Sequence, residues 1–305
     1  MTPQVARMDA HRLHSGQLTR LCYCDDVLHT RPSRQSRQRW QIQAGAELFG
    51  EAGVNADLEV ISLMCETLCA LGVERPVIEL GHVGLVKHLA HEARLDEDAR
   101  RQYYSLVQHK ARAEIAEFVD GLDVPAALSG ALLSLPFAYG DWQRFDAVAS
   151  SAGIAVPGIQ AALAPVRSVG EALLARFPDL QLSFDLGEMR GYQYHTGLVF
   201  SAYLEGLDEA IASGGRYDGV GESFGRHRPA TGFSMALKPL LGLMDIKSAE
   251  TALIWAPANA PYASLAALRR AGQPVVQALD PESSAPVGSR CLIQKGQEWI
   301  VEEQL

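Results

Sequence analysis

The chain has 305 residues, 48% of them hydrophobic, with 27 Lys and Arg against 36 Asp and Glu and a formal charge of −9. That length can bury a substantial core as one large domain and one small one, while the negative balance argues against broad affinity for nucleic acid, because phosphate contacts need clustered Lys and Arg. No apolar run approaches the roughly 18 residues needed to span a bilayer and the N-terminus has no secretory pattern, so a cytoplasmic protein without membrane attachment is expected.

The chain opens at Met1 to Arg7 into an amphipathic helix with Val5, Met8 and the aliphatic part of Arg12 facing inward. Leu21 to Leu28 reads as a strand and Trp40 to Phe49 as its return. The loop between them, Arg31 to Arg39, carries Arg31, Arg34, Arg37 and Arg39 and reads as a solvated or protein-binding surface, with a nucleic-acid contact as the less favoured alternative. On the return strand Gln43, Gly45 and Glu47 project to one face, and Ala44, Ala46 and Leu48 to the other. Gly45 leaves room between two polar side chains. Taken alone, Glu47 reads equally as a strand-end ion pair.

Ala56 to Leu71 has the apolar spacing of an amphipathic helix, with Asn55 or Asp57 near its cap. Pro76 to Gly81 reads as a buried strand and Gly84 to Ala93 as a helix. His82, His88 and His91 lie beside it without partners at ligand spacing, so they read as surface or core histidines and no metal site is expected. The five cysteines, Cys22, Cys24, Cys65, Cys69 and Cys291, lack paired CxxC spacing and read as reduced core residues. From Asp96 to Arg176 the pattern is helical, broken at Pro125, Pro136, Pro157 and Pro165, and carries no recognisable chemistry.

Leu180 to Leu186 alternates as a strand and leads into the most distinctive stretch. There Arg190-Gly191-Tyr192-Gln193-Tyr194-His195-Thr196-Gly197 is followed by Ser213-Gly214-Gly215-Arg216-Tyr217-Asp218-Gly219. Tyr192 to Tyr203 reads as a strand with Tyr192, Tyr194 and Thr196 on one face and Gln193 and His195 on the other. Ala210 to Gly214 reads as its antiparallel partner, joined by a turn at Gly206-Leu207-Asp208 and leading into a glycine-rich bend where a ligand can approach the backbone. Pro229 to Met235 then reads as a strand feeding a helix through Met244. Residues 249 to 305 form a small alternating tail. Its expected elements are strand Ala252 to Ala256, helix Tyr262 to Ala271, strand Pro274 to Leu279 and a terminal pair around Cys291 to Ile293 and Trp299 to Val301.

These two segments together, in this order and separation, resemble the histidyl-tRNA synthetase branch of the class II synthetase fold. Within it the likeness is to the synthetase-like regulatory subunits of ATP phosphoribosyltransferase, the first enzyme of histidine biosynthesis. The resemblance covers most of residues 1 to 245. It implies an α+β fold, a class II aminoacyl-tRNA synthetase-like antiparallel sheet flanked by helices. A helical insertion at about 96 to 176 and a small α/β C-terminal region at 249 to 305 complete it. In that family the Thr2 segment follows a long helix and strand that make the dimer contact. Those elements are missing here, so either the start lies upstream of Met1 or the chain is truncated.

The resemblance also implies what the site does. Synthetases hold ATP phosphates with arginines in a Phe-Arg-X-Glu and a Gly-Leu-Glu-Arg run, whose positions hold Val27, Leu28, His29, Thr30 and Ala236, Leu237, Lys238, Pro239. Neither has an arginine, so ATP chemistry is expected to be lost, with no catalytic residue and no cofactor, and Leu28 reads as packing. The amino-acid pocket is expected to persist in Thr2, Gln43, Glu47, Arg190, Tyr194 and His195, with His195 in place of a second tyrosine. The implied function is a non-catalytic regulatory subunit, partnered by the short catalytic form of ATP phosphoribosyltransferase in a hetero-oligomer. Histidine is the expected feedback effector, in this pocket or at the subunit interface. A divergent or truncated synthetase paralogue and a bare scaffold are the competing readings.

Overall fold

The structure is a computed structural model and describes residues 1–13, 16–31, 39–151, 157–207, 209–241, 253–286 and 289–303. The chain divides into two compact units, Met1–Met244 and Asp245–Leu305. Arg34, Arg37, Asp208, residues 242–244 and Ala252 lie outside the described residues, and so do the expectations placed on them.

In the first unit the strands are β1 (Thr19–Leu28), β2 (Trp40–Phe49), β3 (Val77–His82) and β4 (Tyr139–Asp141). They are followed by β5 (Gln181–Asp185), β6 (Leu198–Tyr203), β7 (Ala212–Arg216) and β8 (Ala230–Ala236). They form one sheet in the order β1-β2-β8-β7-β6-β3-β5-β4. Every pair is antiparallel except β3 with β5.

One face of this sheet is covered by α2 (Val54–Ala70), α3 (Val83–Glu92) and α8 (Pro157–Arg176). Ala46 and Leu48 of β2 point into that layer, where Ile61, Met64 and Leu68 are fully buried. Each such side chain contributes about 1.5 to 3 kcal/mol by leaving water. Glu47 and Phe49, one pleat out of phase, take the other face, which α1 (Thr2–Met8) covers. There Val5 and Ala6 pack with Phe49, Tyr217 and Ala230.

Several expectations are corrected. Met8 is 44% exposed and Arg12 is exposed, because α1 turns Val5 and Ala6 inward and the π-helical turn after it, Asp9–Leu13, turns Asp9 and Ala10 inward. Asp9 is buried against Arg228, whose Nη1 donates to both carboxylate oxygens at 2.7 and 3.0 Å. The cap of α2 is Gly53, two residues before Asn55 and four before Asp57, and Asp57 in its first turn is a buried ion-pair partner. Cys22, Cys24 and Cys69 are exposed, the first two on the edge strand β1; only Cys65 and Cys291 are buried. Leu28, read as packing, is 72% exposed at the end of β1.

The helical stretch contains α4 (Glu97–Gln108), α5 (Arg112–Asp120), α6 (Ala126–Ser134) and α7 (Phe145–Ala149) before α8. Pro125 caps α6, and Pro136 sits in a single 3-10 turn. Pro165 does not break α8. It forfeits one backbone bond, at a cost of about 3 kcal/mol, while Ile159, Leu163, Val166 and Leu173 of the same helix are wholly buried. The short β4, which helical periodicity concealed, adds a strand to β5. His82 is the N-cap of α3 and accepts from the Gly84 amide at 3.1 Å. Among the described residues no three His, Cys, Asp or Glu side chains gather as a metal site, and no helix is long and apolar enough to cross a membrane.

The largest local difference lies at Tyr192 to Gly197, expected as strand. Residues 190–197 instead form a compact turn, with Gly191 at φ +64 and its carbonyl accepting from the amides of Tyr194 and His195 at 3.0 and 2.9 Å. The face assignment by alternation therefore fails. Tyr192 packs edge-on to Tyr104 of α4, Tyr194 is 52% exposed and His195 is buried. Gly214, expected as the last strand residue, and Gly215, expected in the bend after it, both lie within β7. After β8 the chain enters α9 (Leu237–Leu241).

The second unit holds β9 (Ile254–Ala256), α10 (Tyr262–Arg270), β10 (Val275–Gln277), β11 (Arg290–Lys295) and β12 (Glu298–Glu303). Its sheet order is β10-β9-β11-β12, and β9 and β10 are parallel across α10, a βαβ start.

Candidate functional site

The face of the sheet opposite α2 is floored by small residues. In register across it lie Gly45 of β2, Ser234 of β8, Ser213 of β7, Ser201 of β6 and Glu79 of β3. The next row inward holds Glu47, Gly232, Gly215, Val199 and Gly81. Short side chains in both rows leave a cavity of about 160 Å³, whose lining includes Thr2, Glu47, Arg190, Tyr194, His195 and Tyr217. This is well below the roughly 300 to 1,000 Å³ of drug-sized pockets, so the cavity suits a small metabolite. A second cavity of about 740 Å³ shares Thr2, Tyr194 and His195 and adds Gln43 and Lys87.

Glu47 is the buried anchor, 2% exposed. It accepts from Thr2 Oγ1 at 2.7 Å, from the Tyr23 hydroxyl at 3.4 Å and from the Tyr217 hydroxyl. Burial pushes its carboxyl up to about 7, against the Tyr217, Thr2 and Tyr23 hydroxyls, which pull it down. The strand-end ion pair is excluded, since its hydrogen-bond partners are three hydroxyls. Space for it comes from Gly232, where a Cβ would overlap Oε2 at 1.6 Å.

Tyr23 reaches the site for a similar reason. It sits directly across from Gly45, and a Cβ on that glycine would lie 2.5 Å from the tyrosine hydroxyl. Gln43 is two residues from Gly45 on β2, and its Oε1 accepts from the backbone amine of Met1 at 3.3 Å.

His195 is buried, and burial holds its imidazole down to about 4, against the Arg216 carbonyl, which pulls it up. The ring is therefore neutral. Its Nδ1–H donates to that carbonyl at 3.2 Å, which leaves Nε2 as an acceptor. Its ring centre is 4.2 Å from that of Tyr194. Lys87 Nζ donates to the His195 carbonyl at 3.0 Å and fixes the turn from α3.

Arg190 stands at the same cavity with a half-exposed guanidinium. Its fork is already engaged: Nε and Nη2 donate to Glu188 Oε2 at 2.8 and 2.5 Å, and Nη2 also to Glu79 Oε1 at 3.3 Å. Five of the six residues expected from the sequence, Thr2, Glu47, Arg190, Tyr194 and His195, thus line one cavity, while Gln43 lines its neighbour. Sequence reasoning missed Tyr23, Tyr217, Glu79 and Glu188. Tyr217 lay inside the glycine segment, and Tyr23 could have been found by pairing β1 with β2 in register.

Residues 1–240 match the sequence family described as histidyl-tRNA synthetase. The ATP phosphoribosyltransferase regulatory subunit of Stutzerimonas stutzeri is 42% identical over 310 residues, 99% of this chain and 78% of that protein. The protein of the same name from Ectopseudomonas mendocina is 44% identical over 289 residues, 93% and 73% of the two. A crystal structure of an ATP phosphoribosyltransferase regulatory subunit/histidyl-tRNA synthetase from Bacillus halodurans superposes with a TM-score of 0.76 at 26% identity, covering 90% of this chain and 71% of that one. The expected class II, synthetase-like α+β fold is therefore present. A site without the synthetase's arginine runs, on that fold and at this level of identity, leads to one assignment: the chain belongs to the ATP phosphoribosyltransferase regulatory subunits, a non-catalytic branch of the histidyl-tRNA synthetase family.

Proposed function

We propose that this chain is the cytoplasmic regulatory subunit that assembles with a short catalytic subunit of ATP phosphoribosyltransferase, and that histidine bound beside Glu47 inhibits the assembled enzyme. The regulatory-subunit names of relatives at 42 and 44% identity support the catalytic partner, since a regulatory subunit acts through another chain. The observation that carries the histidine reading is Glu47. It is a buried carboxylate held by three hydroxyls at the edge of a cavity sized for a small metabolite.

A free histidine offers an imidazole, an ammonium and a carboxylate. Glu47 takes the ring N–H, and His195 Nε2 and the exposed face of Tyr194 flank the ring. Thr2 and Gln43 accept from the ammonium, and Arg190 receives the carboxylate. Histidine then biases the complex toward a less active state, with a coupling of about 1 to 3 kcal/mol. The test is reconstitution of the full chain with the short catalytic subunit. Glu47→Ala is expected to abolish inhibition by histidine and leave assembly intact. If calorimetry shows this variant binding histidine as tightly as the parent, the effector sits elsewhere.

A further inference from the structure

The wall that carries Arg190 holds more negative than positive charge. Glu188 and Glu79 both contact the one guanidinium, and Glu188 Oε1 also accepts from the Arg190 amide at 2.5 Å. Tyr203 supports the arrangement, with its ring centre 5.6 Å from the guanidinium carbon and its hydroxyl donating to Glu79 at 3.4 Å. Of the guanidinium nitrogens it is Nε and Nη2 that the two glutamates engage. A ligand carboxylate thus finds the bidentate edge of the fork occupied. It must either displace Glu188 from Nε and Nη2 or accept the remaining N–H groups beside two like charges.

We propose that Glu188 determines specificity at this site as an internal competitor: it occupies Arg190 in the free protein and weakens the hold on a ligand's carboxylate. The inference rests on the reading of the cavity as a histidine site. Glu188 acts through Arg190 and is a positioning residue. Its side chain is 13% exposed against 53% for Arg190, so the arginine is the partner with room to turn toward a ligand. Removing the charge frees the fork, and a ligand without a carboxylate gains nothing from it.

The test compares L-histidine with histamine, which keeps the ring and the ammonium and lacks the carboxylate, by calorimetry on the full chain and on its complex with the catalytic subunit. Glu188→Gln keeps the size of the side chain and an acceptor for the Arg190 amide. It should tighten histidine by about fivefold, the upper end for a half-exposed ion pair, and leave histamine unchanged or weaker. Glu79→Gln, which removes a single 3.3 Å contact, should shift the histidine-to-histamine ratio in the same sense by less. A ratio unchanged or lowered in both variants overturns the proposal while the histidine reading stands. A parent that binds no histidine, alone or assembled, removes that reading and this proposal with it.

Discussion

Glu47 shows how one buried carboxyl couples stability to the site. Its native pKa of about 7 lies above the ordinary value of 4.5, with burial as the main cause. The native chain therefore holds a proton that the unfolded chain releases, and stability falls as pH rises from about 4.5 through 7. Glu47→Gln removes that dependence. Urea unfolding should find the variant more stable than the parent above about pH 8, by at most about 3 kcal/mol, with the difference gone below about pH 4.5. Equal stabilities at both pH values would mean that the three hydroxyls fully offset the burial of the charge. A more stable variant would show that stability is given up at this position to keep a polar anchor in the cavity, as functional sites commonly require.

Between elements, the decisive tie is Arg216, at the end of β7 in the glycine segment. It reaches the first turn of α2, pairing with Asp57 at 3.1 Å and donating to the carbonyls of Glu51 and Gly53 at 3.1 and 3.2 Å. Asp218 adds a contact at 3.2 Å. Arg216 and Asp57 are 7% and 3% exposed, so removing either leaves a buried charge without its main partner. Burial raises the Asp57 carboxyl and Arg216 pulls it back. Arg216→Leu should cost about 3 to 5 kcal/mol by leaving Asp57 uncompensated, and Asp57→Leu in the same chain should recover much of it. A double-mutant cycle by urea unfolding checks this; additive losses would show that the ion pair does not join β7 to α2. The tie matters for the site because Tyr217, the next residue, donates to Glu47.

At the scale of the whole molecule, charge and lost arginines set what the chain does not do. Of the basic run, Arg31 and Arg39 are exposed, and Arg39 Nε is bound to the His29 carbonyl at 3.0 Å. Against a net charge of −9 these two make no extended cationic track among the described residues. Filter binding with total tRNA at physiological salt should therefore show no sub-micromolar complex. Histidine-dependent exchange of pyrophosphate into ATP should stay at background, because losing one oxyanion contact costs about 2.7 to 4 kcal/mol and both arginine runs are absent. Robust exchange would restore the synthetase reading.

The sequence by itself determined the class II fold, through two glycine-polar segments whose order and spacing few folds share. It also determined the face on which Glu47 lies, because strand alternation in Trp40 to Phe49 puts it opposite the core-facing Ala46 and Leu48. Three things were decided only by tertiary structure. Tyr192 to Gly197 alternates like a strand, yet backbone bonds to the Gly191 carbonyl curl it into a turn, so periodicity misplaced Tyr194 and His195. Tyr23 and Tyr217 reach Glu47 only because cross-strand register and the end of β7 deliver them from distant parts of the chain. Glu188 and Glu79, far apart in sequence, meet on Arg190 because the turn after β5 lies beside β3. Pairings of this kind depend on long-range contacts between strands, and no local pattern of residues records them.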